Sequence, residues 1–152
     1  MDAGDMPEAY RGLMQYLMRL RTYFADHYPD YTVSGSLYFG YMDMSYFSVS
    51  PAALKKRGLK AAIVFLHETC SFEIWLSGVN RKTQGEFYEL FSLYEWHYGT
   101  ICVPGKGVDA IVSAPLVSET DFDDLDALTS KIDHRTNAFL DAVLLFLNDI
   151  RP

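Results

Sequence analysis

The chain has 152 residues, 49% of them hydrophobic and 22% charged, with a formal net charge of −7. These are the proportions of one globular domain large enough to bury its own core without disulfide or metal staples. The acidic balance argues against nucleic-acid binding, which needs phosphates neutralised by Lys and Arg; Lys55, Lys56, Arg57, Lys60, Arg81 and Lys82 read as solvated loop and helix ends.

The first element predicted is a helix from Met6 to His27, with Asp5 as N-cap and Pro7 in the first turn, where its missing N–H costs little. Tyr10, Leu13, Leu17, Leu20 and Phe24 recur at helical spacing, and Met14 broadens the stripe. Pro29 ends the helix before Tyr28. Thr32–Phe39 and Tyr41–Ser50 follow as strands, with breaks at Gly35 and Gly40. On the second strand Tyr41, Asp43, Ser45 and Phe47 share one face, and Met42, Met44 and Tyr46 the other. Pro51–Gly58 reads as a helical turn closed by Gly58.

Leu59–Gly78 is a hairpin. With Thr69 and Cys70 as its turn, Phe65 faces Ile74 and Ile63 faces Leu76. The other face sets Ala62, Val64 and Leu66 across from Ser77, Trp75 and Glu73. The first face is wholly apolar. The second is mixed, with Glu73 in mid-strand among apolar neighbours. Asn80 caps a helix over Arg81–Trp96 with core positions Phe87, Leu90, Phe91 and Tyr94. Thr100–Val103 and Val108–Ser113 are short strands around a turn at Pro104–Gly107, the second ended by Pro115. A last helix over Phe122–Ile150, capped by Thr120 or Asp121, carries Asp123, Asp124 and Asp126 at the positive end of its dipole. Its stripe of Leu125, Leu128, Ile132, Phe139, Val143, Phe146 and Ile150 widens with Leu140, Leu144 and Leu147. A stripe that wide is either central to the core or covered by a partner, so a homodimer through this C-terminal helix is an expectation. The order of elements predicts an α+β single domain: a mostly antiparallel sheet around the hairpin, covered by an N-terminal, a middle and a C-terminal helix.

Several motifs fail on spacing. His67-Glu68 opens like a zinc-protease helix, but Ser71 stands where the second His belongs. Asp121–Asp126 lacks the glycine and the closing glutamate of a calcium loop. Gly105-Lys106-Gly107 lacks the rest of a phosphate-binding loop. Cys70 and Cys102 have no metal-ligand spacing and read as a reduced pair. No metal site and no cofactor are expected. The first residues are acidic with no apolar run behind them, and Ala138–Leu147 is too short to span a bilayer, so a cytoplasmic protein without membrane contact is expected.

Two functional readings remain. The first is a ligand-binding or protein-interaction domain using Tyr38, Tyr41, Tyr46, Trp75, Arg81 and Gln84 as polar or amphipathic contacts. The second is a hydrolase or metal-dependent, nuclease-like enzyme built on Asp43, His67 and Glu73; strand-borne carboxylates near Lys82 supply its raw material. Trp75, however, stands two residues after Glu73 where such sites place a lysine. A purely structural reading pairs Glu73 with Arg81 or Lys82 and packs the tyrosines as core edges.

Three stretches, AYRGLMQYLMRLRTYF (9–24), VSGSLYFGYMDMSYF (33–47) and LKAAIVFLHETCSFEIWLSGVNRKTQ (59–84), carry a resemblance. The chain resembles an uncharacterised bacterial family of small cytoplasmic proteins, a domain of unknown function. The resemblance implies one domain and a bacterial, cytoplasmic origin. It transfers no catalytic residue.

Overall fold

A computed structural model describes residues 8–40 and 44–150. Asp5, Met6 and Pro7, expected at the first helix start, lie outside the described residues. The first helix, α1 (Glu8–His27), leads into two short strands, β1 (Tyr31–Val33) and β2 (Tyr38–Gly40), then β3 (Met44–Pro51) and a single helical turn, α2 (Ala52–Lys55). The hairpin β4 (Leu59–Leu66) and β5 (Ser71–Gly78) follows, then α3 (Arg81–Leu93), β6 (Thr100–Ile101), β7 (Ala110–Val117) and α4 (Leu125–Asp149). The described strands form one antiparallel sheet in the order β1-β3-β4-β5-β7-β6, with β2 also pairing along β3. The architecture is α+β, as the order of elements predicts.

The helices share one side. Tyr16 of α1 meets Phe72 of β5 edge-on, and Phe24 of α1 meets Phe47 of β3. Phe91 of α3 stacks on Phe146 of α4 at 4.5 Å between ring centroids. Leu54 of α2 is buried in the same core. On the strands this side collects Phe47, Val49, Ala61, Ile63, Phe65, Phe72, Ile74, Leu76, Val112 and Ala114, the set that alternation places on the apolar face. Among the described residues no helix packs on the mixed face opposite.

Local details depart from the sequence reading for identifiable reasons. The hairpin pairs Phe65 with Phe72, Ile63 with Ile74 and Ala61 with Leu76. The reversal takes all of His67–Cys70 rather than two residues, with Cys70 at φ 52° closing it. Across from Ala62, Val64 and Leu66 therefore stand Trp75, Glu73 and Ser71. The slip is by two, so no side chain changes face. Strand β7 runs through Pro115 instead of ending there. β6 pairs only with Val112 and Ser113, so a missing N–H at Pro115 removes no bond to that neighbour. α3 ends at Leu93, leaving Tyr94 48% exposed rather than in the stripe. α4 is capped by Asp124, whose carboxylate accepts from the Ala127 N–H; Asp121 instead accepts from the Asp123 N–H in the preceding turn.

Much of the wide stripe of α4 is buried within the chain. Leu128, Ile132, Phe139, Leu140, Val143 and Leu147 are buried, and Leu145 stands exposed at 64%. Leu125, Leu144, Phe146 and Ile150, the rest of the stripe, are half-buried against the same core.

Candidate functional site

The uncovered sheet face is built in rows, because strands in register place residues of one parity side by side. One row runs Tyr38, Tyr46, Val64, Glu73, Pro115 across β2, β3, β4, β5 and β7. The next runs Ser48, Ala62, Trp75, Ser113, Thr100 across β3, β4, β5, β7 and β6. Tyr38 stacks on Tyr46 at 5.4 Å and is 47% exposed. Val64, beneath these side chains, is only 1% exposed, so the face has a closed floor with aromatic groups standing on it. The Trp75 indole N–H donates to Glu73 Oε1 at 2.8 Å. Both are half-buried.

Glu73 thus has a partner that the sequence reading did not foresee. Among the described residues neither Arg81 nor Lys82 forms an ion pair with it, and Arg81 reaches Asp109 at 3.5 Å. Glutamine at position 73 retains an acceptor for the indole. Glu73→Gln is therefore expected to change unfolding free energy by no more than about 0.5 kcal/mol. A loss above about 2 kcal/mol in urea denaturation would show that the carboxylate's charge is structurally required.

The other candidates separate from this face. His67 follows Leu66 and turns to the helical side, where its ring meets Phe65 edge-on at 5.0 Å and stacks with Tyr10 of α1 at 5.9 Å. His67 Nε2 shares a 2.8 Å hydrogen bond with Ser45 Oγ, and Ser45 is 1% exposed. His67 and Glu73 therefore project to opposite faces of the sheet and do not converge on one site. Asp43 and Tyr41 lie outside the described residues. Among the described residues no group of three or more His, Cys, Asp or Glu side chains is arranged to hold a metal ion.

Arg81 and Gln84 fasten a loop. Gln84 is buried, its Nε2 donates to the Val108 carbonyl at 2.8 Å, and its Oε1 accepts from Arg81 at 2.8 Å. Arg81 also donates to Val108 O at 2.6 Å. Together they tie the segment before β7 to the first turn of α3, at the end of the sheet rather than across its open face.

One polar cluster has no counterpart in the sequence reading. Tyr23 donates to Asp133 Oδ2 at 2.5 Å, and the Tyr28 hydroxyl donates to Asp133 Oδ1. Asn137 Nδ2 donates to the same Oδ1 at 2.7 Å, while Tyr31 donates to Asn137 Oδ1 at 2.5 Å. The Asp133 hydrogen bond pushes the Tyr23 phenol up to about 12. Burial first, then the neighbouring carboxylates, pushes Tyr31 up to about 12, and burial with Asp133 raises Tyr28 as well. The hydroxyls are held as proton donors, and the cluster clasps the end of α1 and β1 to α4. Sequence spacing offers little sign of it, since Asp133 is more than a hundred residues from its tyrosines.

Two open grooves lie on the helical side, one lined by Ala53, Lys56, Arg57, Leu144 and Asn148, the other by Tyr16, Arg19, Tyr23, Asp126, Thr129 and Ser130. Neither contains a residue that the sequence offers as a candidate site residue. Among the described residues no helix is long and apolar enough to cross a membrane.

Fold and site together define a two-layer α+β domain with an open, aromatic-bearing sheet face. The chain belongs to the DUF7000 family, a domain of unknown function, whose model matches residues 1–147. Comparison with curated proteins and with solved structures gave no match.

Proposed function

We propose that the protein is an interaction domain whose working surface is the open face of the sheet. The observation that carries this is the one-sided cover: the described helices pack on one face, while the other displays Tyr38, Tyr46 and Trp75 over a closed floor. Small-molecule sites are concave, and they enclose most of a ligand. The open face is a broad strand surface, and its aromatic enrichment is the composition of protein–protein contact centres. The hydrolase reading lacks a shared site, because His67 and Glu73 face opposite ways.

The test is site-specific photo-crosslinking in cells that naturally make the protein. A benzophenone side chain at Ser48 or Ser113 on the open face is expected to give protein adducts. The same group at Gln15 or Glu86, exposed on the helical layer, is expected to give none. Equal labelling from both layers, or none from the sheet, would remove the assignment.

A further inference from the structure

We propose that the open face docks against the same face of a second copy of this chain, sheet on sheet about a twofold axis. This rests on the reading of that face as an interaction surface, and names its occupant.

Size supports it. The four long strands β3, β4, β5 and β7 have 8 residues each. At about 3.3 Å per residue and 4.8 Å between strands, the four long strands cover about 26 Å by 19 Å, and the short flanking strands bring the face to about 630 Å² per copy. A pair buries about 1,250 Å², at the low end of the range of stable interfaces.

Relief supports it too. Tyr38 and Tyr46 stand toward one edge and Trp75 near the centre, over low positions at Ser48, Ala62, Val64 and Ser113. Twofold packing sets the aromatic groups of one copy over the low positions of the other, the interdigitation by which sheets stack about 10 Å apart. Charge is the third support. The chain carries −7, yet the four long strands hold only Lys60 and Glu73 as charged residues. A nearly neutral face suits an identical partner, whereas a strongly basic partner would require an acidic one. Because the net charges of the two copies repel at a distance, added salt should strengthen the pair.

The experiment is sedimentation and light scattering of the full chain from low to high micromolar concentration, with tryptophan emission recorded in parallel. The chain has 2 Trp, and Trp96 is already buried at 9% exposure, so a concentration-dependent blue shift reports Trp75. A dimer is expected, with the shift following its formation. Ala62→Arg and Ser113→Arg should each raise the dissociation constant by about a hundredfold or more, as expected for a charge buried without a partner at an interface centre. Leu145→Lys on α4 should leave it unchanged, and circular dichroism of each variant confirms folding. A monomer throughout, or a dimer broken by Leu145→Lys and not by Ala62→Arg, overturns the proposal. The two readings fail separately. A monomer whose sheet face still crosslinks to a different protein in cells overturns self-association alone. A monomer with no sheet-face adducts removes both.

Discussion

Asp133→Ala should lower the unfolding free energy by about 3 kcal/mol, because two tyrosine hydroxyls lose a charged acceptor and each such bond contributes about 1.5–3 kcal/mol, less where water reaches it. Asn137 loses its contact with Oδ1 as well, and through it the cluster's grip on Tyr31 loosens. The loss runs against the global trend, since removing an acidic residue from a chain of charge −7 relieves repulsion. For a domain of this size the midpoint should fall by about 10 °C. Tyr28→Phe alone should cost about 1 kcal/mol, and the double variant should fall short of the sum, since both remove one interaction. A midpoint drop under about 3 °C for Asp133→Ala would show that solvent replaces the clasp.

The same cluster sets an alkaline limit. Folded Tyr23 and Tyr31 hold their protons up to about 12, whereas unfolded tyrosine releases its proton near the ordinary value of 10.0. The unfolded chain therefore ionises first. The stabilisation is complete below about pH 10 and is lost as pH rises toward 12. In Asp133→Ala the part of this slope due to Tyr23 should flatten while the part due to Tyr31, set first by burial, remains, which distinguishes the clasp from a general sensitivity to base.

Much of the architecture is written in local pattern. Alternation along Leu59–Leu66 and Ser71–Gly78 assigns every hairpin residue to its correct face, and a reversal longer by two residues changes partners without changing faces. The wholly apolar face has to be covered, but whether the mixed face is covered as well depends on where the helices land, and no residue of the hairpin encodes that. Asn80 is legible as a cap because a side-chain acceptor before a helix has one use, and its Oδ1 accepts from Thr83 N–H at 2.8 Å. The candidate site divides along the same line. Tyr38, Tyr46, Trp75 and Glu73 share the open face because strand parity places them there. His67 sits beside them in sequence, yet falls just past the last paired residue and turns to the helices. Arg81 and Gln84 suit ligand contact by type, but their partner is a loop carbonyl 24 or more residues away, a closure no local pattern encodes.

Gly78→Ala and Gly85→Ala make the same chemical change and should have opposite signs. A methyl group on Gly78 would stand 2.7 Å from the Gln84 amide nitrogen, 3.1 Å from its Cα and 3.2 Å from the Asn80 carbonyl. All three are backbone atoms, so no side chain can swing aside. The first turn of α3 is also held from three directions: by the Asn80 cap, by the Gln84 N–H to Asn80 carbonyl bond of 3.0 Å, and by Gln84 reaching Val108. Relief requires moving the helix start, which stretches the tie to the loop before β7. Forced overpacking of this kind costs about 1–3 kcal/mol, and the rigid surroundings place Gly78→Ala at the upper end. Gly85, inside the same helix, has nothing within 4 Å of an added methyl group. There alanine restricts the unfolded chain and favours helix, for a gain of about 0.5–1 kcal/mol. Urea denaturation of the two variants measures both. A stabilised Gly78→Ala would mean that α3 is not seated against the end of β5. Because Gly78 meets α3 on the helical side, Gly78→Ala should weaken folding while leaving self-association of the folded chain intact. The opposite pattern is expected of Ala62→Arg, which lies on the other face.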